Sequence, residues 1–320
     1  MHFSSDSPIV TVLGGGGFIG RYACEALLKA GARLRVAQRD PKRAFFLQPL
    51  GQVGQVSVIA ADFARPATIE RAVDGADAVV NLVGAFAGNL QAIHVDGPRQ
   101  AAEVARQSGA SAFVQVSAIG ADPASSSFYA RTKGEGEAAV RAAFSGATIL
   151  RPSVVFGAED TFTNRFASLA RLPVMPVIAP DTKFQPLFVR DLAQAVALAA
   201  LDPARFGGKS FDLAGPEVLT MRLLVERIAR LAGQSPSLVD LPAFASSALA
   251  SLGFLPGAPL TRDQWLMLQH DNVAAARKPG IAAFGIVPTT IDAVAPEWLD
   301  RFHKGGRFAP RADAPGKASA

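Results

Sequence analysis

Tyr129 and Lys133 stand four residues apart in a stretch whose pattern predicts a helix over 128–144, so both side chains fall on one face, one turn apart. A phenol beside an ammonium is an acid–base pair. The positive charge stabilises phenolate, draws a tyrosine pKa down from about 10, and readies the hydroxyl to protonate an alkoxide left by hydride transfer. Such a pair also arises by chance on solvated helices, so it carries meaning only beside a hydride carrier. The other end of the chain supplies a candidate. Gly14, Gly17 and Gly20, in the run G-G-G-G-F-I-G at 14–20, directly follow the apolar segment 9–13. Glycines there remove the Cβ atoms that would hold a backbone away from a pyrophosphate. They sit where a strand turns into a helix whose first N–H groups, around Phe18 and Ile19, are free to bind an anion.

The flanks agree with that chemistry. Phe18, Ile19, Tyr22, Ala23, Ala26, Leu27 and Ala30 recur at helical spacing, Gly31 closes the helix, and 34–37 reads as a second strand. Together they make a β-α-β unit of about 30 residues, the length that a dinucleotide-binding unit needs. About 20 residues past the glycines, an NAD-preferring chain carries a carboxylate for the ribose hydroxyls. Here Gln38-Arg39 stands instead. A guanidinium matches a 2′-phosphate, so NADP(H) is preferred over NAD(H), with Lys42 and Arg43 adding charge nearby. Asp40 could claim the ribose if the loop were displaced by one residue, and a merely solvated charged loop remains the plain alternative.

Apolar runs at 56–61, 78–83, 112–116 and 148–150 alternate with helical patterns. This predicts an α/β fold with a doubly wound parallel Rossmann sheet. Ligands collect at the carboxyl ends of such strands. That rule singles out Asp62, Phe63, Val83, Gly84, Ser117 and Pro152 beside the glycine turn as cofactor-binding candidates. Asp62 could bond the adenine amino group and Phe63 flank the ring; a loop cap and a core anchor are equal alternatives. Beyond residue 157 glycine and proline become frequent, and helical patterns at 162–172, 192–201 and 221–232 predict a smaller C-terminal, substrate-side lobe. The expected organisation is a nucleotide domain over 1–157 plus returning segments, a lobe over 158–302, and a flexible tail from 303 to 320.

Composition excludes several classes. At 320 residues and 49% hydrophobic content the chain can bury a large core. Of its net charge of +5, the last twenty residues hold +4, which leaves no general excess for binding nucleic acid. Cys24 is the only cysteine, which removes intrachain disulfides and cysteine-rich zinc sites, and His2, His94, His270 and His303 show no metal-ligand spacing. The segment before the first strand is short and contains Asp6, unlike a secretion signal, so a cytoplasmic protein is expected. Residues 241–261 carry no charge at all. Their prolines and Gly253 argue against a membrane span; a buried or partner-facing helix is expected, with peripheral contact at the inner face of the cytoplasmic membrane as the alternative.

Taken together these segments resemble the short-chain dehydrogenase/reductase superfamily, in its extended and atypical branches. The landmarks are G-G-G-G-F-I-G, A-D-F at 61–63, N-L-V-G at 81–84, V-S-A at 116–118, Y-A-R-T-K at 129–133 and R-P-S-V-V-F-G at 151–157. S-A-I-G-A-D-P, F-Q-P-L-F-V, L-A-G-P-E and L-T-R-D-Q look more narrowly like bacterial relatives of the nucleotide-binding accessory subunit of respiratory complex I. That resemblance implies an accessory or stability factor linked to complex I or quinone metabolism, with the nucleotide as a largely structural ligand. The alternative it implies is an active NADP-dependent oxidoreductase or epimerase with Tyr129 as acid/base and Lys133 as its partner. Active extended members carry Ser or Thr just after the fifth strand, where this sequence has Ala118, and an Asn where it has His94. Ser125, Ser126 or Ser127 could supply a substitute hydroxyl or simply cap the helix of Tyr129.

Overall fold

The computed structural model describes residues 7–251 and 260–303. The basic tail and the second half of the uncharged 241–261 segment lie largely outside those residues. Six strands follow the expected order: β1 (Ile9–Leu13), β2 (Arg33–Gln38), β3 (Val56–Ala60), β4 (Ala78–Asn81), β5 (Ala112–Val116) and β6 (Thr148–Pro152). A seventh, Ser210–Leu213, pairs parallel to β6 and closes the order β3-β2-β1-β4-β5-β6-edge. The chain winds outward in one direction from β1 and in the other from β4. The crevice between those two strands is therefore the switch point where such sheets bind ligands.

Both faces of the sheet are covered, as the continuous apolar runs require. On one face α1 (Phe18–Lys29) packs against α6 (Val189–Leu201), burying Val12, Leu27, Val36, Val80, Leu192 and Val196. The alanine-rich sequence of α6 lets it lie close to α1 and the strands. On the other face α2 (Pro66–Val73), α3 (Gly97–Gln107) and α4 (Phe128–Ala143) enclose Ile69, Ala101, Phe113, Val140 and Ile149. A separate core gathers around Phe156, Met175, Leu224, Ile228 and Trp298, with α5 (Thr161–Leu169) packed on it. The segment 187–213 supplies α6 and the edge strand to the sheet.

Of the two alternatives for the uncharged segment, a buried or a partner-facing helix, its described first half is not the buried one. Residues Ala243–Ser251 are helical, but only Ser246 and Ala250 are buried and Phe244 is 79% exposed. A run without charge is compatible with burial but does not compel it. No helix among the described residues is long and apolar enough to cross a membrane.

The turn from β1 to α1 is tightly packed. Gly14 has φ +81°, and a Cβ on Gly20 would sit 2.5 Å from the carbonyl oxygens of both Gly14 and Gly15. Since those are backbone atoms, only movement of the helix could relieve the clash. Gly20→Ala is expected to cost about 1–3 kcal/mol, read as a lower urea midpoint at unchanged slope; a wild-type midpoint would show that the turn is not this tight.

Candidate nucleotide site

Helix α1 begins at Gly17, whose extended backbone brings no side-chain cap to the first turn. The N–H groups at Phe18 and Ile19 thus face the crevice without a side-chain acceptor, and the helix dipole adds partial positive charge. Across the crevice Val83 abuts the turn: a Cβ on Gly14 would lie 3.2 Å from Val83 Cγ2. Gly84 continues the wall. A Cβ there would lie 3.9 Å from His94 Nε2 and 4.0 Å from Lys133 Nζ. The structure therefore brings the glycine turn, Val83, Gly84 and Lys133 to one place. The N–H groups of the first turn of α1, which no side chain caps, fit a dinucleotide pyrophosphate.

Arg39 lies at the end of β2, exposed and without a hydrogen bond or ion pair among the described residues. Asp40 is engaged differently: it caps the short 3-10 helix Pro41–Leu50, its Oδ1 accepting from the Lys42 N–H at 3.1 Å. Asp62 Oδ1 accepts from the Ala64 N–H at 3.1 Å, a turn cap. The Phe63 ring fills the space where a Cβ on Gly97 would stand. Pro152 ends β6, and its carbonyl accepts from Ile119 N–H at 3.0 Å.

Helix α4 carries the acid–base candidates, and its start is built from two capping groups. Ser127 Oγ accepts from the Ala130 N–H at 3.2 Å. Asp263, from the helix Arg262–Met267, accepts from the Phe128 and Tyr129 N–H groups at 2.6 and 3.1 Å. Ser125 Oγ accepts from Ser127 N–H at 3.2 Å. Ser127 is thus the capping residue and Ser125 holds the turn before it, and Ala118 brings no hydroxyl. The hydroxyl that is available belongs to Ser117, whose buried Oγ has no hydrogen-bond partner.

The tyrosine and lysine share a helix face but are not electrostatically coupled. Lys133 is buried; its Nζ donates to the Val116 carbonyl at 3.0 Å, and burial lowers its pKa to about 8, with the Glu137 charge opposing. Tyr129 is pushed up to about 12 by burial, with no offsetting effect from the ammonium. The lowering expected from i, i+4 spacing is therefore absent: desolvation outweighs a lysine whose charge is directed at β5. The Tyr129 ring stacks on Phe86, centroids 4.6 Å apart, and meets the His94 ring edge-on at 5.3 Å. His94 accepts from the Ala85 N–H through Nε2 at 3.2 Å, so its Nδ1 carries the hydrogen toward Thr132 Oγ1 at 2.9 Å. Burial first, and then the Lys133 charge, lower its pKa to about 4, so it is neutral at physiological pH.

A family model described as NAD(P)H-binding matches residues 14–168, from the glycine turn through α4 and into α5. The mitochondrial NADH dehydrogenase (ubiquinone) 1 alpha subcomplex subunit 9 of Mus musculus is 30% identical over 302 residues, 92% of this chain and 80% of the mouse protein. This chain belongs to that family of NAD(P)H-binding proteins. The ceramide reductase of Caulobacter vibrioides is also similar, 32% identical over 240 residues, which is 73% of this chain and 74% of that protein. Among solved structures, the NADPH-dependent quinone oxidoreductase of Escherichia coli complexed with NADPH matches with a TM-score of 0.74 and 21% identity, covering 91% of this chain and 99% of that one. At that identity the likeness speaks for the fold.

Three features of this NAD(P)H-binding chain escaped the sequence reading. Phe86 lies on the loop after β4 with nothing in its neighbours to mark it. Asp263 reaches α4 from 134 residues away; L-T-R-D-Q does carry a readable capping box, Thr261 with Gln264, but that box caps its own helix. Glu137 is held by Arg151, whose Nε donates to Glu137 Oε1 at 2.8 Å, and the pair supports the wall behind Lys133.

Two outcomes follow from these groups. His94 titrates near 4 when folded and near 6.5 when unfolded, so between those values the unfolded chain binds more protons. Its contribution is complete above pH about 6.5 and is lost as pH falls toward 4, by up to a few kcal/mol. Urea melts at pH 7 and 4.5 should show a smaller acid loss in His94→Asn than in wild type; equal losses would remove His94 from the account. Asp263→Ala should lower stability by about 1 kcal/mol through loss of the α4 cap, which the same melts measure at pH 7.

Proposed function

We propose that this chain holds NADP(H) as a largely structural ligand and serves as an accessory or stability factor for respiratory complex I or quinone metabolism. The observation that carries the reading is the disengaged acid–base pair: Tyr129 near 12 beneath Phe86, Lys133 bonded to Val116, and Ala118 where a hydroxyl would be needed. A ligand that binds only the folded chain stabilises it by mass action, about 2.7 kcal/mol at a hundredfold excess over Kd, with no turnover. The relative named as a complex I subunit spans most of this chain, which supports the choice of partner. The exposed uncharged helix Ala243–Ser251, with Phe244, offers a face for a partner or for peripheral contact at the inner membrane surface.

The site residues divide by role. The first turn of α1, with Gly14, Gly17, Phe18, Ile19 and Gly20, receives the pyrophosphate; Arg39 receives the 2′-phosphate, since Asp40 is turned to its cap. Asp62 and Phe63 lie toward the adenine, and Val83, Gly84, Ser117, Lys133 and Pro152 toward the nicotinamide end. A second reading, an NADP-dependent reductase, is favoured by the unpartnered Ser117 hydroxyl and by similarity to a protein named ceramide reductase. The nicotinamide would then supply hydride. Tyr129 would give the proton to the substrate oxygen, and Ser117 would bond that oxygen.

Extraction from the native membrane fraction without salt stripping separates the two. NADPH recovered together with complex I subunits, unchanged in Tyr129→Phe, supports the first reading. A freely exchanging cofactor and a native reductase activity lost in Tyr129→Phe would replace it with the second. In either case Arg39→Ala should weaken NADPH binding by about tenfold or more and leave NADH binding unchanged, as measured by calorimetric titration.

A further inference from the structure

Resting on that reading of NADP(H) as the ligand, we propose that Gln38 is the positioning residue for nucleotide selectivity. Its amide pins the backbone of Arg39 against the glycine turn and keeps negative charge away from the 2′ group. Gln38 Oε1 accepts from the Gly16 N–H at 2.9 Å, and Gln38 Nε2 donates to the Asp40 carbonyl at 2.6 Å. The second bond spans Arg39, so the arginine's backbone is fixed between two anchors. The ends of the span are themselves tied: Ala61 N–H donates to the Gln38 carbonyl at 3.0 Å, and Arg43 N–H to the Asp40 carbonyl at 3.2 Å.

Gly16 has no part in the three-glycine spacing, yet a Cβ there would lie 2.2 Å from Gln38 Oε1. Glycine at 16 makes room for the amide. The consequence reaches the two residues after Gln38. Arg39 keeps its donors free on a backbone already ordered, which reduces what binding must immobilise. The Asp40 carboxylate stays at the Lys42 N–H, away from an incoming phosphate.

The amide chemistry is specific to this arrangement. A glutamate at 38 could keep the bond from Gly16 but would turn an acceptor toward the Asp40 carbonyl, where Gln38 turns a donor. It would also bring a negative charge beside the group that Arg39 receives.

Dissociation constants for NADPH and NADH, measured by titration calorimetry on wild type, Q38A, Q38E, R39A and the Q38A/R39A double variant, test the proposal. Q38A is expected to reduce the NADPH-over-NADH preference about fivefold, and Q38E to reduce it further or invert it. Because Gln38 acts mainly through Arg39, Q38A should change the preference less in the R39A background than in wild type. Equal weakening of both nucleotides by Q38A, fully additive losses in the double variant, or an unchanged preference in Q38E would overturn the proposal. Thermal melts identify any variant that fails to fold, and Q38E keeps the acceptor toward Gly16 where alanine would loosen the turn. Equal affinity of wild type for the two nucleotides would instead overturn the NADP(H) reading itself, before any Gln38 variant is compared.

Discussion

The close approach of helix α1 to the backbone of the preceding turn governs this molecule. Gly20 rests against the carbonyls of Gly14 and Gly15, and Gly14 against Val83 at the end of β4. These contacts admit no Cβ without displacement, and they hold the helix N-terminus at the point where the strand order reverses. Because β1 and β4 lead away in opposite directions, the crevice stays open above them. Backbone donors, a helix dipole and two strand ends therefore converge on one location without a charged side chain in the turn.

Helix α4 is placed on the opposite wall by contacts of the same kind. A Cβ on Gly136 would lie 1.9 Å from the His94 carbonyl oxygen, so the helix can press directly on the π-helical turn Ala92–Asp96. A widened turn of that type is frequent at functional sites. It delivers His94 to the space between Thr132 and Ala85, beside both Tyr129 and Lys133. His94 and Lys133 are buried there and Tyr129 is half-buried, and for all three desolvation is the largest influence on protonation. Tyrosine keeps its proton, histidine stays neutral, and lysine titrates far closer to neutrality than an exposed one.

Much of this architecture was legible in residue order. The strands over 9–13 and 112–116 fall at the bounds that their apolar runs predicted, and the helices over 128–143 and 221–231 end within a residue of theirs. Periodicity is a local property, and local physics writes it into the chain. The edge strand Ser210–Leu213 was missed, because four residues carry too little pattern to separate a strand from a loop. For the uncharged segment the sequence left a buried and a partner-facing helix open, because lack of charge reports polarity and not what a helix packs against.

By itself the sequence determined the β-α-β unit, the glycine turn, the doubly wound order of elements, and the pairing of Tyr129 with Lys133 on one helix face. Each follows from spacing over a few residues, where steric and hydrogen-bonding rules act directly. Only the tertiary structure decided that Asp263 caps that helix, that Phe86 stacks on the tyrosine, that Ser117 is buried without a partner, and that Gln38 reaches the glycine turn. Those outcomes depend on residues distant in the chain meeting at fixed separations, and on how much water their meeting excludes. Neither quantity is expressed in local order.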